Sequence, residues 1–236
     1  MLRIFPVIAL FVMTSLGGFS QSLDAGFQLG TGFYSMSGLK SINNVVVRSL
    51  QFDSEIVSDF PPYFAYRPFI LYNFGSYKIG IRYTFNSTGS RVSSKDYSGE
   101  YRFDMKISSH SPELIGEIEL ESFGIFRLFF YNSLGIILSN LDQNERLEIL
   151  GEVVAGGRYK YKSFSPVGES GFTGVLPFSK LDAEVSLGYL YQVGYGDYKS
   201  QTQPGMILGD PDTGKKISRG WNGFRAGVSL VYHLKI

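Results

Sequence analysis

Between Tyr77 and Ser108 apolar and polar residues alternate. Tyr77, Ile79, Ile81, Tyr83 and Phe85 are interleaved with Lys78, Gly80, Arg82, Thr84 and Asn86. After the polar stretch 87–95 the alternation returns. Tyr97, Gly99, Tyr101, Phe103, Met105 and Ile107 fall on one side, and Ser98, Glu100, Arg102, Asp104, Lys106 and Ser108 on the other. A period of two sustained over about ten residues predicts a long β-strand with unlike faces. The two strands read as an up-and-down hairpin with residues 87–95 as its polar tip. Every charge in the pair lies opposite the aromatics.

The same pattern recurs along the chain. It predicts further strands over 25–34, 63–73, 114–121, 125–138, 147–161, 170–176, 181–195 and 224–236, with a short one at 44–52 inside a long loop. The strand 63–73 is poorly patterned, because Phe69 and Leu71 share a face with Arg67 and Pro68 removes a ladder donor. Short turns are expected near Gly75, Pro112, Asn140 and Pro177, and long loops at 35–62, 87–95 and 196–220. Long connections thus gather at one end and short ones at the other. The count is about ten, and even numbers are the rule for bacterial single-chain barrels; eight and twelve also satisfy it.

The strands run longer than the five or six residues usual in soluble sheets and approach the nine to eleven or so that cross a bilayer. In a membrane barrel the aromatic face meets lipid and the charged face lines the lumen. The two ends of the chain favour that arrangement. Met1 to Ser20 has a basic start at Arg3, an apolar core from Ile4 to Leu16, and small residues Gly18 and Ser20 before a cut ahead of Gln21, as in a secretory signal peptide. The last stretch alternates up to the final residue, with Phe224, Ala226, Val228, Leu230, Tyr232, Leu234 and Ile236 on one face. This resembles the closing strand of Gram-negative outer-membrane barrels, which the barrel-assembly machinery reads; here the chain ends in Ile236, and Tyr232 is the nearest aromatic. The tract from Gly80 to Glu100 is similar to uncharacterised small barrels of the Bacteroidota, porin-like or OmpA-like in architecture. The expected fold is therefore all-β: a transmembrane up-and-down antiparallel β-barrel of about ten strands over residues 21–236, following a signal peptide at 1–20. The implied location is the bacterial outer membrane. The implied partners are outer-membrane lipid and, through the last strand, the assembly machinery.

Composition narrows the chemistry. The chain has no Cys, 28 Gly, 16 Tyr and 20 Phe, which suits twisted strands and interfacial aromatic girdles and excludes thiolate sites. Once Arg3 leaves with the signal peptide, 21 basic and 21 acidic residues remain, so no basic excess points to nucleic acid. Of the two histidines, His110 is expected in a periplasmic turn and His233 at the periplasmic end of the last strand. Neither position suits an outer-leaflet hydrolase, whose base must reach a nucleophile, and no enzyme activity is expected. Asp210 and Asp212 read as turn residues rather than Ca²⁺ ligands, and Gly89 as part of a hairpin tip. No pattern asks for a cofactor or a metal.

The largest constellation is the set of charges assigned to the lumen: Lys78, Arg82, Glu100, Arg102, Asp104, Lys106, Glu117, Glu119, Glu121, Arg127, Glu148, Glu152, Arg158, Lys160, Asp182, Glu184 and Arg225. Two readings stay open. The charges fill a small barrel as cross-strand pairs, leaving a structural or surface-binding role to the external loops, or they line a narrow channel for small solutes. On the first reading Glu117, Glu119 and Glu121 are the expected partners of Arg82, Arg102 and Arg127.

Overall fold

The first strand closes on the last. In the structure, a computed structural model that describes residues 22–50, 52–194, 196–210, 213–217 and 220–235, β1 (Ser22–Tyr34) pairs antiparallel with β10 (Gly223–Lys235) from Ser22 opposite Lys235 to Tyr34 opposite Gly223. The other edge of β1 pairs with β3 (Phe64–Asn73). The ring continues through β4 (Tyr77–Lys95), β5 (Gly99–Phe123), β6 (Phe126–Ile149), β7 (Glu152–Phe178) and β8 (Leu181–Gln192), and β8 returns to β10. The sheet has ten strands. Eight form the closed wall, and two, β2 (Glu55–Asp59) on β4 and the two-residue β9 (Lys199–Ser200) on β7, extend it at the end away from the termini. The proposed signal peptide and its cut before Gln21 lie outside the described residues, as does Ile236.

The expected total of ten conceals several differences. Residues 108–112 and 140–145 are not turns; they lie inside β5 and β6, so 99–108 and 114–121 belong to one 25-residue strand. Residues 87–95 continue β4, and the hairpin turns instead at Asp96–Ser98, where the Asp96 carboxylate accepts from the backbone N–H groups of Ser98 and Gly99 and from the Ser98 hydroxyl. Those donors hold Asp96 below the usual carboxylate range, the Ser98 hydroxyl contributing most. Residues 147–161 are divided by a turn at Leu150 and Gly151, whose φ of 85° suits glycine. The weak strand 170–176 is the end of β7.

Residues 44–52, read as a short strand, are mostly helix: α1 spans Ser37–Ser49. Val45, Val46 and Val47 carry β-propensity, but Leu39, Ile42 and Val46 recur at helical spacing, and burying Met36, Leu39 and Ile42 decides the conformation.

The wall has two zones. Near the termini its outer face is a continuous apolar belt, with Ile79, Ile81, Leu114, Ile118, Leu134, Phe172, Val185, Leu187, Val228 and Leu230 all exposed. Aromatic contacts mark its edges: Tyr72 meets Phe74 at a tilt at 4.6 Å, Phe74 stacks on Tyr77 at 4.8 Å, and Tyr189 meets Phe224 edge-on at 5.0 Å. Crossing a bilayer takes about nine to eleven residues per strand, so more than half of β5, β6 and β7 projects beyond the belt. In that second zone the polarity of the two faces is exchanged.

Candidate functional site

The lumen inside the belt holds two tiers of ion pairs. The tier farther from the termini centres on Glu169, in β7. Its carboxylate accepts from Arg67 Nη1 at 3.3 Å, Arg82 Nη2 at 2.9 Å, Arg225 Nη1 at 2.8 Å and Tyr131 Oη at 2.7 Å. Arg82 also donates to Glu113 Oε2 at 2.5 Å and to Ser133 Oγ at 2.9 Å. Arg67 reaches Gln28 Oε1 at 3.0 Å, and Arg225 Nε donates to Tyr34 Oη at 3.1 Å. Arg67, Glu169 and Arg225 are fully enclosed. Charges withdrawn from water need such multiple partners to offset the desolvation cost.

The tier nearer the termini is a chain of polar contacts in which two aspartates alternate with Lys78, His233 and Arg127. Lys78 Nζ lies 3.0 Å from Asp24, His233 Nδ1 lies 2.7 Å from Asp24, His233 Nε2 lies 2.9 Å from Asp182, and Arg127 Nη2 lies 3.1 Å from Asp182. Lys78 and Arg127 both pack over the Phe129 ring, at 5.0 and 5.6 Å. Between the tiers, Glu117 and Glu184 border a cavity of about 20 Å³ shared with Gln28, Thr173 and Ser186. That is room for about one water.

Beyond the belt the lumen turns apolar. Met36 and Leu39 from the α1 region, Phe103, Met105 and Ile107 from β5, Leu141 from β6, and Tyr198, Leu208, Ile217 and Trp221 from the long connection after β8 form one buried cluster. Trp221 is fully buried, meets Tyr34 edge-on at 4.9 Å and donates from Nε1 to Ser139 Oγ at 2.8 Å. The described parts of this connection, through Tyr198, Leu208, Ile217 and Trp221, therefore fold inward as a plug. Its Asp210 caps a turn by accepting from Thr213 N at 2.9 Å; Asp212 lies outside the described residues.

Of the charges assigned to the lumen, Lys78, Arg82, Glu117, Asp182, Glu184 and Arg225 point inward and are buried, and Arg127 reaches in from the rim. Glu119 is partly exposed at that rim, and Glu121, past a bulge, is exposed. Seven others are corrected: Glu100, Arg102, Asp104, Lys106, Glu148, Glu152 and Arg158 lie on the outside of the projecting zone or at its tip, as does Lys160. They pair there with one another or with neighbours: Arg91 with Asp104, Arg102 with Glu100, Arg146 with Glu148, and Arg158 with Asp142. The physical cause is the medium. Once the strand leaves lipid, water surrounds it, so charges turn out and Tyr101, Phe103, Met105 and Ile107 turn in. The expected pairing of Glu117, Glu119 and Glu121 with Arg82, Arg102 and Arg127 is replaced by Glu113 and Glu169, Glu100, and Asp182 respectively.

Sequence reasoning passed over Asp24, Arg67, Glu113 and Glu169. Glu113 follows the proline taken for a turn, although it shares parity with Glu117. Glu169 fell in the gap between two predicted strands. His110 is also corrected: it lies in the middle of β5, faces outward at the far edge of the belt, and its Nδ1 lies 2.5 Å from Tyr83 Oη.

An apolar lipid-facing belt around a closed ring of antiparallel strands, with the ionisable groups turned into the lumen, defines the chain as a transmembrane β-barrel. No family model and no curated protein matches the sequence. Among solved structures, Neisserial surface protein A is 11% identical over 92% of this chain and 97% of its own, with a TM-score of 0.40. Ail, the attachment invasion locus protein of Yersinia pestis, is 10% identical over 91% and 95%, with a TM-score of 0.34. The fold assignment rests on the closed ring of pairings.

Proposed function

We propose that this chain is an integral outer-membrane β-barrel whose lumen is closed to solutes and whose role is structural or surface-binding, exerted by the part that projects outside the cell. One observation carries the reading: among the described residues the lumen holds two ionic tiers under an apolar plug, with an internal space of about 20 Å³ between the tiers. About eight strands enclose an interior that side chains can fill, which leaves no continuous path for solutes. The signal-like residues 1–20, cleaved after Ser20, would deliver the chain to the periplasm, and β10 would present it to the assembly machinery. Both termini and the short turns near Gly75, Gly124 and Ser179 then face the periplasm. The strands β4 to β7, the plug and α1 face outward, the asymmetry usual for such barrels. We assign no hydrolytic role to the histidines: His110 contacts Tyr83 and His233 sits between two aspartates, and among the described residues neither is hydrogen-bonded to a serine.

Reconstitution into planar bilayers tests this. The expected record is flat at moderate voltage. Steady, porin-like single-channel currents from the intact protein would falsify the closed-lumen reading and make a narrow solute channel the better one, with Arg67, Arg82, Arg225 and Glu169 as its lining.

A further inference from the structure

The lipid-facing surface is indented on one side. Across β3 to β6, Ile70, Ile81, Pro112, Leu114 and Ile136 line a groove of about 620 Å³ that is almost wholly apolar. The short, rigid ring of Pro112 stands where neighbouring positions carry long side chains, which leaves the depression. The next outward residue along β5 is His110, level with Phe85 and Leu138 in the sheet register. There a second recess, of about 730 Å³, opens at the edge of the belt among His110, Leu138, Asn140, Lys162, Phe164 and Lys199. Leu138 and Phe164 are the last apolar residues of their outward rows. Asn140 and Lys162 come next.

The charge in this recess is unbalanced. Lys162 and Lys199 are direct cross-strand neighbours, and like charges in that relation repel. Asp197 also borders the recess, but it is paired with Lys216 at 3.5 Å. The carboxylate of Asp142, one turn of the pleat beyond Asn140, is taken by Arg158. An anion placed between the two lysines would relieve the repulsion with charge-assisted hydrogen bonds. The position of the recess, half over the belt and half beyond it, selects an anion that carries its own apolar tail.

We propose that groove and recess are one binding site for a phosphorylated lipid of the outer leaflet. An acyl chain lies along Pro112 and Leu114, and the phosphate sits against Lys162, Lys199 and His110. The proposal rests on the outer-membrane reading above and adds a specific ligand class to it.

Native mass spectrometry of the full protein in mild detergent reads the site directly. The probes are phosphatidic acid, diacylglycerol with the same chains, and inorganic phosphate. Phosphatidic acid should be retained about thirtyfold more tightly than diacylglycerol, as two interfacial lysines imply. Replacing both lysines (Lys162→Ser with Lys199→Ser), which are exposed and outside the lumen, should erase that preference. Pro112→Phe, or Leu114→Trp should the first not fold, should weaken retention of both lipids alike by filling the groove. Equal retention of the two lipids by the unmodified protein overturns the proposal, and so does inorganic phosphate bound as tightly as phosphatidic acid. A protein that fails to insert into vesicles and lacks the heat-dependent gel shift of a barrel would instead sink the outer-membrane reading; an inserted barrel with no lipid preference sinks this one alone.

Discussion

Glu169 gathers three guanidinium groups and a phenol at one carboxylate, and no sequence pattern marked it. Removing one partner of a buried ionic cluster leaves the others uncompensated, which typically costs about 3–5 kcal/mol. Glu169→Gln should therefore lower stability by about that amount in urea unfolding from lipid vesicles. Glu117→Gln should cost less, about 1 kcal/mol or under, because one of its oxygens faces the small cavity without a protein partner. Equal costs would mean that the arginines are not organised by Glu169. At this scale the sequence was legible wherever a strand stayed in lipid with regular alternation, as for Lys78, Arg82, Asp182, Glu184 and Arg225. It was illegible where a residue stood beside an apparent breaker. Pro112 hid Glu113, and the Gly- and Ser-rich run after Phe164 hid Glu169, although strands on a curved wall accept both residue types on the side facing lipid.

In β5 the apolar residues change parity within one uninterrupted strand. Leu114, Ile118 and Leu120 face outward, whereas Tyr101, Phe103, Met105 and Ile107 face inward. Placing a turn at 108–112 let each half be given the lipid on its apolar side, and that is why the outer half was assigned backwards. A switch of parity without a break is the mark of a strand leaving the membrane, and β6 repeats it between Leu138 and Leu141. The prediction follows from the two media. Leu134→Arg, in the belt, should cost about 2–4 kcal/mol. Met105→Arg, in the plug, should also destabilise by burying an unpaired charge, whereas Lys106→Ala, one residue on, should change stability by about 0.5 kcal/mol at most. Urea titration of the three variants in vesicles checks the order. A costly Lys106→Ala beside a tolerated Met105→Arg would reverse the faces assigned to outer β5.

Taken whole, the molecule is one continuous wall with two interiors, ionic where lipid surrounds it and apolar where water does. The barrel class could be read from the alternation and the closing strand; the short turns near Gly75 and Pro177 and the long connections at 35–62 and 196–220 were legible too, whereas those placed at 87–95, 108–112 and 140–145 lie inside strands. The plug was not legible, because it is made by a loop and a helix whose burial depends on a ring that has already closed. Its phenols give it a pH response. Burial pushes Tyr198 above the ordinary phenol range, and burial together with the nearby Glu145 carboxylate does the same for Tyr101. A phenol that keeps its proton longer when folded contributes stability that is intact below the unfolded value of about 10 and is lost as pH rises past it. Trp221, the single tryptophan of the chain, reports on the same cluster. Its emission should shift to the red in alkaline titration above about pH 10, and Tyr198→Phe should move that transition upward. An emission unchanged to pH 12 or so, well past the ordinary phenol range, would show that the plug does not depend on these protons.

The pairing of β1 with β10 has a consequence in time. The earliest strand waits with an open edge until the last has been made, so the wall can be checked only at its final step. At that step, with β1 already held by β3, a slip of one residue in β10 would turn Arg225 and Ser229 toward the hydrocarbon and Val228 and Leu230 toward the ionic tiers, because side chains alternate strictly. The misaligned seam would break the contacts of Arg225 with Glu169 and of His233 with Asp24 at once. Closure thus proofreads its own alignment, and a chain joined in the wrong frame would be driven to reopen rather than persist.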